Sequence, residues 1–106
     1  MEYKINATLL LEILGRPKEH VKEALTTLVL KLGAENGVKI TNKILHEPQP
    51  VKDSQTLFTS FAEIDVELDS LQHYFMIIFT YMPSHIEIIS PEKITISNAE
   101  LNETGN

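Results

Sequence analysis

The sequence predicts an α+β sandwich in the order strand, helix, strand, strand, helix, strand, and three observations carry that expectation. Apolar residues recur at every second position over residues 3–13 and again over residues 58–68, as half-buried strands require. Between Val21 and Leu32 they recur instead at steps of three and four, the pattern of an amphipathic helix. A chain of 106 residues, 42% apolar and 23% charged, has the composition of a folded domain and the length for one modest core.

The elements follow in order. Tyr3, Ile5, Ala7, Leu9, Leu11 and Ile13 form the buried side of the first strand, with Lys4, Asn6, Thr8 and Glu12 between them. Gly15 and Arg16 break it, and Pro17 suits the first position of a helix, where its missing amide costs nothing. Val21, Ala24, Leu25, Leu28 and Leu32 then form the helix's inner stripe, opposite Lys18, Glu19, Lys22 and Glu23. Gly33 and Gly37 frame the turn that follows, because glycine accepts the positive φ on which helices commonly end.

Val38, Ile40 and Ile44 read as the buried side of a second strand, with Lys39, Thr41 and Lys43 facing water. Residues 46–55, which include Pro48 and Pro50, have the composition of an exposed loop. A third strand pairs with the second as a hairpin. Its buried side is Phe58, Ala62, Ile64, Val66 and Leu68, with Ser60 as a polar interruption.

Asp69 is the expected N-cap of a second helix running to Pro83. On a helical projection its inner stripe is Leu71, Tyr74, Phe75, Ile78 and Met82, which leaves Met76 and Ile77 beside Gln72, His73 and Thr80 on an outer side too apolar for open water. A short fourth strand runs from His85 through Ile86 and Ile88, and Pro91 ends it. Ile94 and Ile96 suggest a further extended piece, and Ser97 with Glu100 forms a capping box for a last helix from Ala99. The organisation expected is one domain over residues 1–97, with residues 98–106 as a tail or the start of that helix.

This order of elements is the ferredoxin-like, split βαβ arrangement: a four-stranded antiparallel sheet ordered 4-1-3-2, with both helices on one face. In pattern, and in its Ile-rich composition with eight lysines to one arginine, the chain resembles small ferredoxin-like proteins of the kind found in archaea. The resemblance covers about residues 3–90. It implies the fold and a dimer, and carries no site residues across.

Composition removes several classes of function. No cysteine is present, so disulfides, thiolate zinc sites and cysteine nucleophiles are excluded. The start lacks the pattern of a secretory signal, and the longest apolar-rich run, residues 71–82, falls short of the roughly 20 residues that a membrane span needs. A cytoplasmic protein without a membrane span is the expectation. A net charge of −6 disfavours nucleic acid, whose binding rests on clustered positive charge. The four glycines are scattered and form no phosphate loop, and no cofactor is implied.

Candidate sites fall into three groups. The open sheet face gathers Glu63, Asp65, Glu67 and His85, oxygen and imidazole donors of the kind divalent cations take, although cross-strand pairing with Lys4, Lys39 and Lys43 on a solvated face is the commoner reason for such carboxylates. The long loop offers His46 with Glu47 and Asp53, a general base without a partner nucleophile at fixed spacing. The outer side of the second helix, Gln72, His73, Met76, Ile77 and Thr80, is either covered by the segment after Pro91 or used as an interface with a protein partner or a second copy. A non-enzymatic, self-associating or protein-binding domain, with room for a small ligand by the long loop, is the function this pattern favours. The alternative is a small enzyme or metal-binding protein using the sheet-face carboxylates.

Overall fold

The computed structural model describes residues 4–90. The expected extended piece at Ile94 and Ile96, the capping box at Ser97, the last helix and the boundary at residue 97 lie outside them. Seven elements occur among the described residues: β1 Ile5–Gly15, α1 Lys18–Gly33, β2 Val38–Leu45, β3 Gln49–Pro50, β4 Phe58–Leu68, α2 Leu71–Tyr81 and β5 His85–Ser90. They build an α+β fold with an antiparallel sheet ordered β2-β4-β1-β5, and β3 adds to the end of β4. The four long strands stand in the expected order. The two-residue β3 was not foreseen, because Pro50 argues against a strand except at an edge, which is where it sits.

Strict alternation explains β1 and β4. Ile5, Ala7, Leu9 and Leu11 lie in register with Leu68, Val66, Ile64 and Ala62, and all eight are buried. Both helices cover this one face, since Leu25, Val29 and Leu32 of α1 pack with Ile77 and Tyr81 of α2 around it. In α1 the stripe is rotated slightly from expectation: Val29 is buried and Ala24 exposed. Pro17 stands at the N-cap and Lys18 opens the helix.

Ser60 is the polar residue on the apolar side of β4, and only 1% of its surface is exposed. Its hydroxyl donates to the carbonyl of His46 at 2.5 Å, while the amide of His46 donates to the carbonyl of Phe61 at 2.9 Å. A buried hydroxyl without a partner would be costly. Here it pins the start of the long loop to the sheet.

Two expectations are corrected. Ile44 faces the open side, because a β-bulge between Ile40 and Asn42 shifts the register so that Ile44 lies opposite Glu63. An extra residue reverses the alternation of everything beyond it. Asp69 does not cap α2. Its carboxylate accepts from Lys4 Nζ at 2.7 Å, and Ser70 takes the N-cap position.

Candidate functional site

Helix α2 presents the most exposed apolar surface of the described residues. Besides its two tyrosines it contains only three polar residues, Gln72, His73 and Thr80, and no aspartate, glutamate, lysine or arginine. Its inner stripe is Tyr74, Ile77 and Tyr81, with Leu71 and Met76 also packed against the core. Ile77 has no exposed surface, whereas Phe75 is 47% exposed and Phe79 and Met82 are each 77% exposed. The expected facing therefore holds for Leu71 and Tyr74 and fails for the rest of the face. Ile77 and Met76 belong to the core, and Phe75 and Met82, expected inside, face outward with Phe79.

A helix apolar on both sides has no phase that its sequence can reveal, so contacts made elsewhere decide its rotation. The Tyr81 hydroxyl donates to Glu35 Oε2 at 2.5 Å. Lys31 lies 5.8 Å from the centre of the same ring, within the range of a cation–π contact. At the other end, the amide of Asp69 donates to the carbonyl of Gly37 and the Ser70 hydroxyl bonds His73 Nδ1 at 2.7 Å. Gly37 has φ +81°, and a Cβ there would overlap the His73 imidazole. Tyr81 and His73 thus lock the helix to the end of α1 and the turn after it.

The exposed stripe continues beyond the helix. Phe75, Phe79 and Met82 recur at steps of four and three, which places them on one face. Met82 adopts the left-handed conformation with φ 45° at the C-cap, and it lines a shallow groove with Leu14, Glu12, Thr59 and Ser84. Leu14 is itself 62% exposed. Of the residues expected on this surface, Gln72 and Thr80 are exposed and His73 is half-buried.

The open sheet face has a different character. Register places His46 beside Phe61 and Phe61 beside Glu12, and in the next row Ile44, Glu63, Leu10 and His85 run across four strands. The imidazole of His46 stacks on Phe61, with ring centres 4.2 Å apart, and its Nε2 lies 2.6 Å from Glu63 Oε2. Glu12 accepts from Thr59 and Asp65 from Thr8, while His85 lies 3.6 Å from Glu87. Lys39 stands opposite Glu67 in register.

The metal set expected on this face is not assembled. Glu63 and His85 are two strands, about 10 Å, apart, and Glu63 faces His46 instead. Among the described residues no group of three or more histidine, aspartate or glutamate side chains could hold a metal ion. The loop candidates are dispersed as well. His46 joins the sheet face, Glu47 pairs with Lys22 at 3.1 Å, and Asp53 sits in a turn with φ 67°. His46 and Glu63 could move a proton as a pair, but the other ring nitrogen makes no hydrogen bond among the described residues.

Two titrating groups are displaced from their usual ranges. Burial, with the Glu35 carboxylate as acceptor, pushes the Tyr81 phenol well above the usual tyrosine value. The hydrogen bond from Lys4 and its charge hold Asp69 below the usual carboxylate range. Both act on structure, and neither lies in a cleft of the kind that marks catalysis.

Sequence reasoning overlooked Phe79 and Leu14 and placed Phe75 and Met82 inside. The signal available was an 11-residue helix without a charge, which said that α2 has two apolar sides but not which is which. No helix of the described residues is long and apolar enough to cross a membrane. A sequence model described as the MJ0538 family matches residues 6–104. No curated protein and no solved structure matches the chain.

Proposed function

Because the chain belongs to the MJ0538 family, a name that states no activity, we propose its function from the surface of the molecule: it is a self-associating, non-enzymatic domain that pairs with a second copy through the outer face of α2. The observation that carries this reading is the exposed stripe of Phe75, Phe79 and Met82. Contiguous apolar surface of this kind marks interaction sites.

Area and charge both favour a second copy. At about 200 Å² per large side chain, the stripe and Leu14 together expose about 500 Å² of apolar surface. A standard interface takes about 800 Å² from each partner, of which some three-fifths is apolar, so the stripe supplies the apolar content of one such interface. Two copies each carrying −6 must also meet where charge is low. The stripe of Phe75, Phe79 and Met82 meets that condition, whereas the open sheet face with Glu63, Asp65 and Glu87 would repel its own copy.

The fold assignment belongs to the same proposal. The order β2-β4-β1-β5 with both helices on one face supports a ferredoxin-like βαββαβ sandwich, in which β3 is a local addition to the hairpin between β2 and β4.

Solution mass by light scattering over a concentration series tests the reading, for wild type, Phe79→Asp and the conservative Phe79→Leu. We expect a wild-type dimer, a dissociation constant raised at least a hundredfold by Phe79→Asp with an unchanged far-ultraviolet spectrum, and a dimer retained by Phe79→Leu. A wild type that stays monomeric into the hundreds of micromolar, or a Phe79→Asp variant that still dimerises, overturns it.

A further inference from the structure

The outer edge of β2 is a second surface with a different chemistry. In the sheet order β2 stands at one end and pairs only with β4 among the described residues, so a row of its amides and carbonyls faces away from the sheet. A groove runs along this edge between β2 and the end of α1, lined by Val29, Leu30, Gly33 and Ile40 with Lys39 and Lys43. Leu30 is 62% exposed. The lack of a side chain at Gly33 lets the helix end lie close to the strand, since a Cβ there would come within 3.2 Å of Ile40.

Charge separates the possible occupants. Lys39 and Lys43 form no ion pair among the described residues, and they are two of only nine basic residues in a chain of net charge −6. A second copy pairing β2 to β2 would double the positive charge along this edge, and edge lysines are a device that discourages such pairing. An acidic segment would meet the opposite situation.

We propose that this edge accepts an extended segment of a partner protein in which aliphatic and acidic side chains alternate, added to the sheet as a further strand. Main-chain hydrogen bonds to an exposed edge supply affinity in this mode of recognition, and alternate side chains supply specificity. The bulge sets which side chains meet. Lys39 lies opposite Glu67 on the open face, whereas Lys43 lies opposite Ile64 on the helix side. The incoming strand therefore places its acidic residues on the open face beside Lys39 and its aliphatic residues on the helix side against Leu30 and Ile40, with Lys43 adding positive charge along the same edge.

The test is a nuclear magnetic resonance titration of the full chain with a synthetic eight-residue peptide alternating glutamate and valine. Saturable shifts confined to residues 38–45 and the end of α1 are expected, with affinity at least tenfold weaker when lysine replaces the peptide's glutamates. The Lys39→Glu, Lys43→Glu double variant should weaken binding at least tenfold, and Phe79→Asp should leave it unchanged. The inference is overturned by an absence of shifts at millimolar peptide, by equal binding of the lysine peptide, by shifts that map to α2, or by outward amides of β2 already protected from exchange in the free chain.

Discussion

Truncation of Ile77 to alanine separates the two possible rotations of α2. The side chain is fully buried among residues of β1, β4 and α1, and the substitution removes three carbons. Transfer alone is worth about 0.8 kcal/mol per carbon, or about 2.4 kcal/mol in all, and the residual cavity raises the loss to about 3–4 kcal/mol. At about 4–8 °C per kcal/mol for a domain of this size, the midpoint should fall by at least about 12 °C. Phe79→Ala, at a site 77% exposed, should cost under about 0.5 kcal/mol in the isolated protomer. Urea unfolding followed by far-ultraviolet circular dichroism, at one low protomer concentration so that association does not contribute, measures both. A neutral Ile77→Ala beside a costly Phe79→Ala would show the helix rotated by nearly half a turn, and the interface argument would fail with it.

Three further outcomes follow from named contacts. Ser60→Ala leaves the carbonyl of His46 without its side-chain donor and should cost about 1–3 kcal/mol, read by the same unfolding experiment. Gly37→Ala forces a Cβ into the left-handed region and onto His73, so a loss of about 2 kcal/mol or more is expected, with a smaller loss once His73 is also alanine. The raised value of Tyr81 means that the unfolded phenol ionises first as pH rises. Its stabilisation is therefore complete below about pH 10 and lost above it, and Tyr81→Phe should flatten the fall in unfolding free energy measured between pH 9 and 11.

Where one face of an element is apolar and the other polar, the sequence discloses the structure. Ile5 to Leu11 and Ala62 to Leu68 alternate without exception among their inward positions, and their register can follow only from burying both sets together. The α1 stripe is legible for the same reason, to within the exchange of Ala24 for Val29. Helix α2 was not legible, because apolar residues on two sides satisfy two rotations equally and the choice rests on Tyr81 reaching Glu35, a contact 46 residues apart. The cluster of His46, Phe61 and Glu63 depends on register across two strands and a bulge, and no local spacing encodes it. Ser60 carried a signal of its own: a serine on the apolar side of a strand asks for a partner, and the loop carbonyl answers it.

The bulge in β2 also has a meaning for how such a strand can change. Because one surplus residue sets the parity of all that follow, closing the bulge with Thr41 paired in the ladder would slide the strand by one pair, bring Ile44 opposite Ala62 on the helix side and turn Lys43 to the open face opposite Glu63. Substitution alters a surface one side chain at a time. A one-residue slip here would exchange an aliphatic for a cation over a whole stretch of the exposed sheet, so changes in register, more than changes in residue, are the route by which relatives of this chain could acquire a differently charged face.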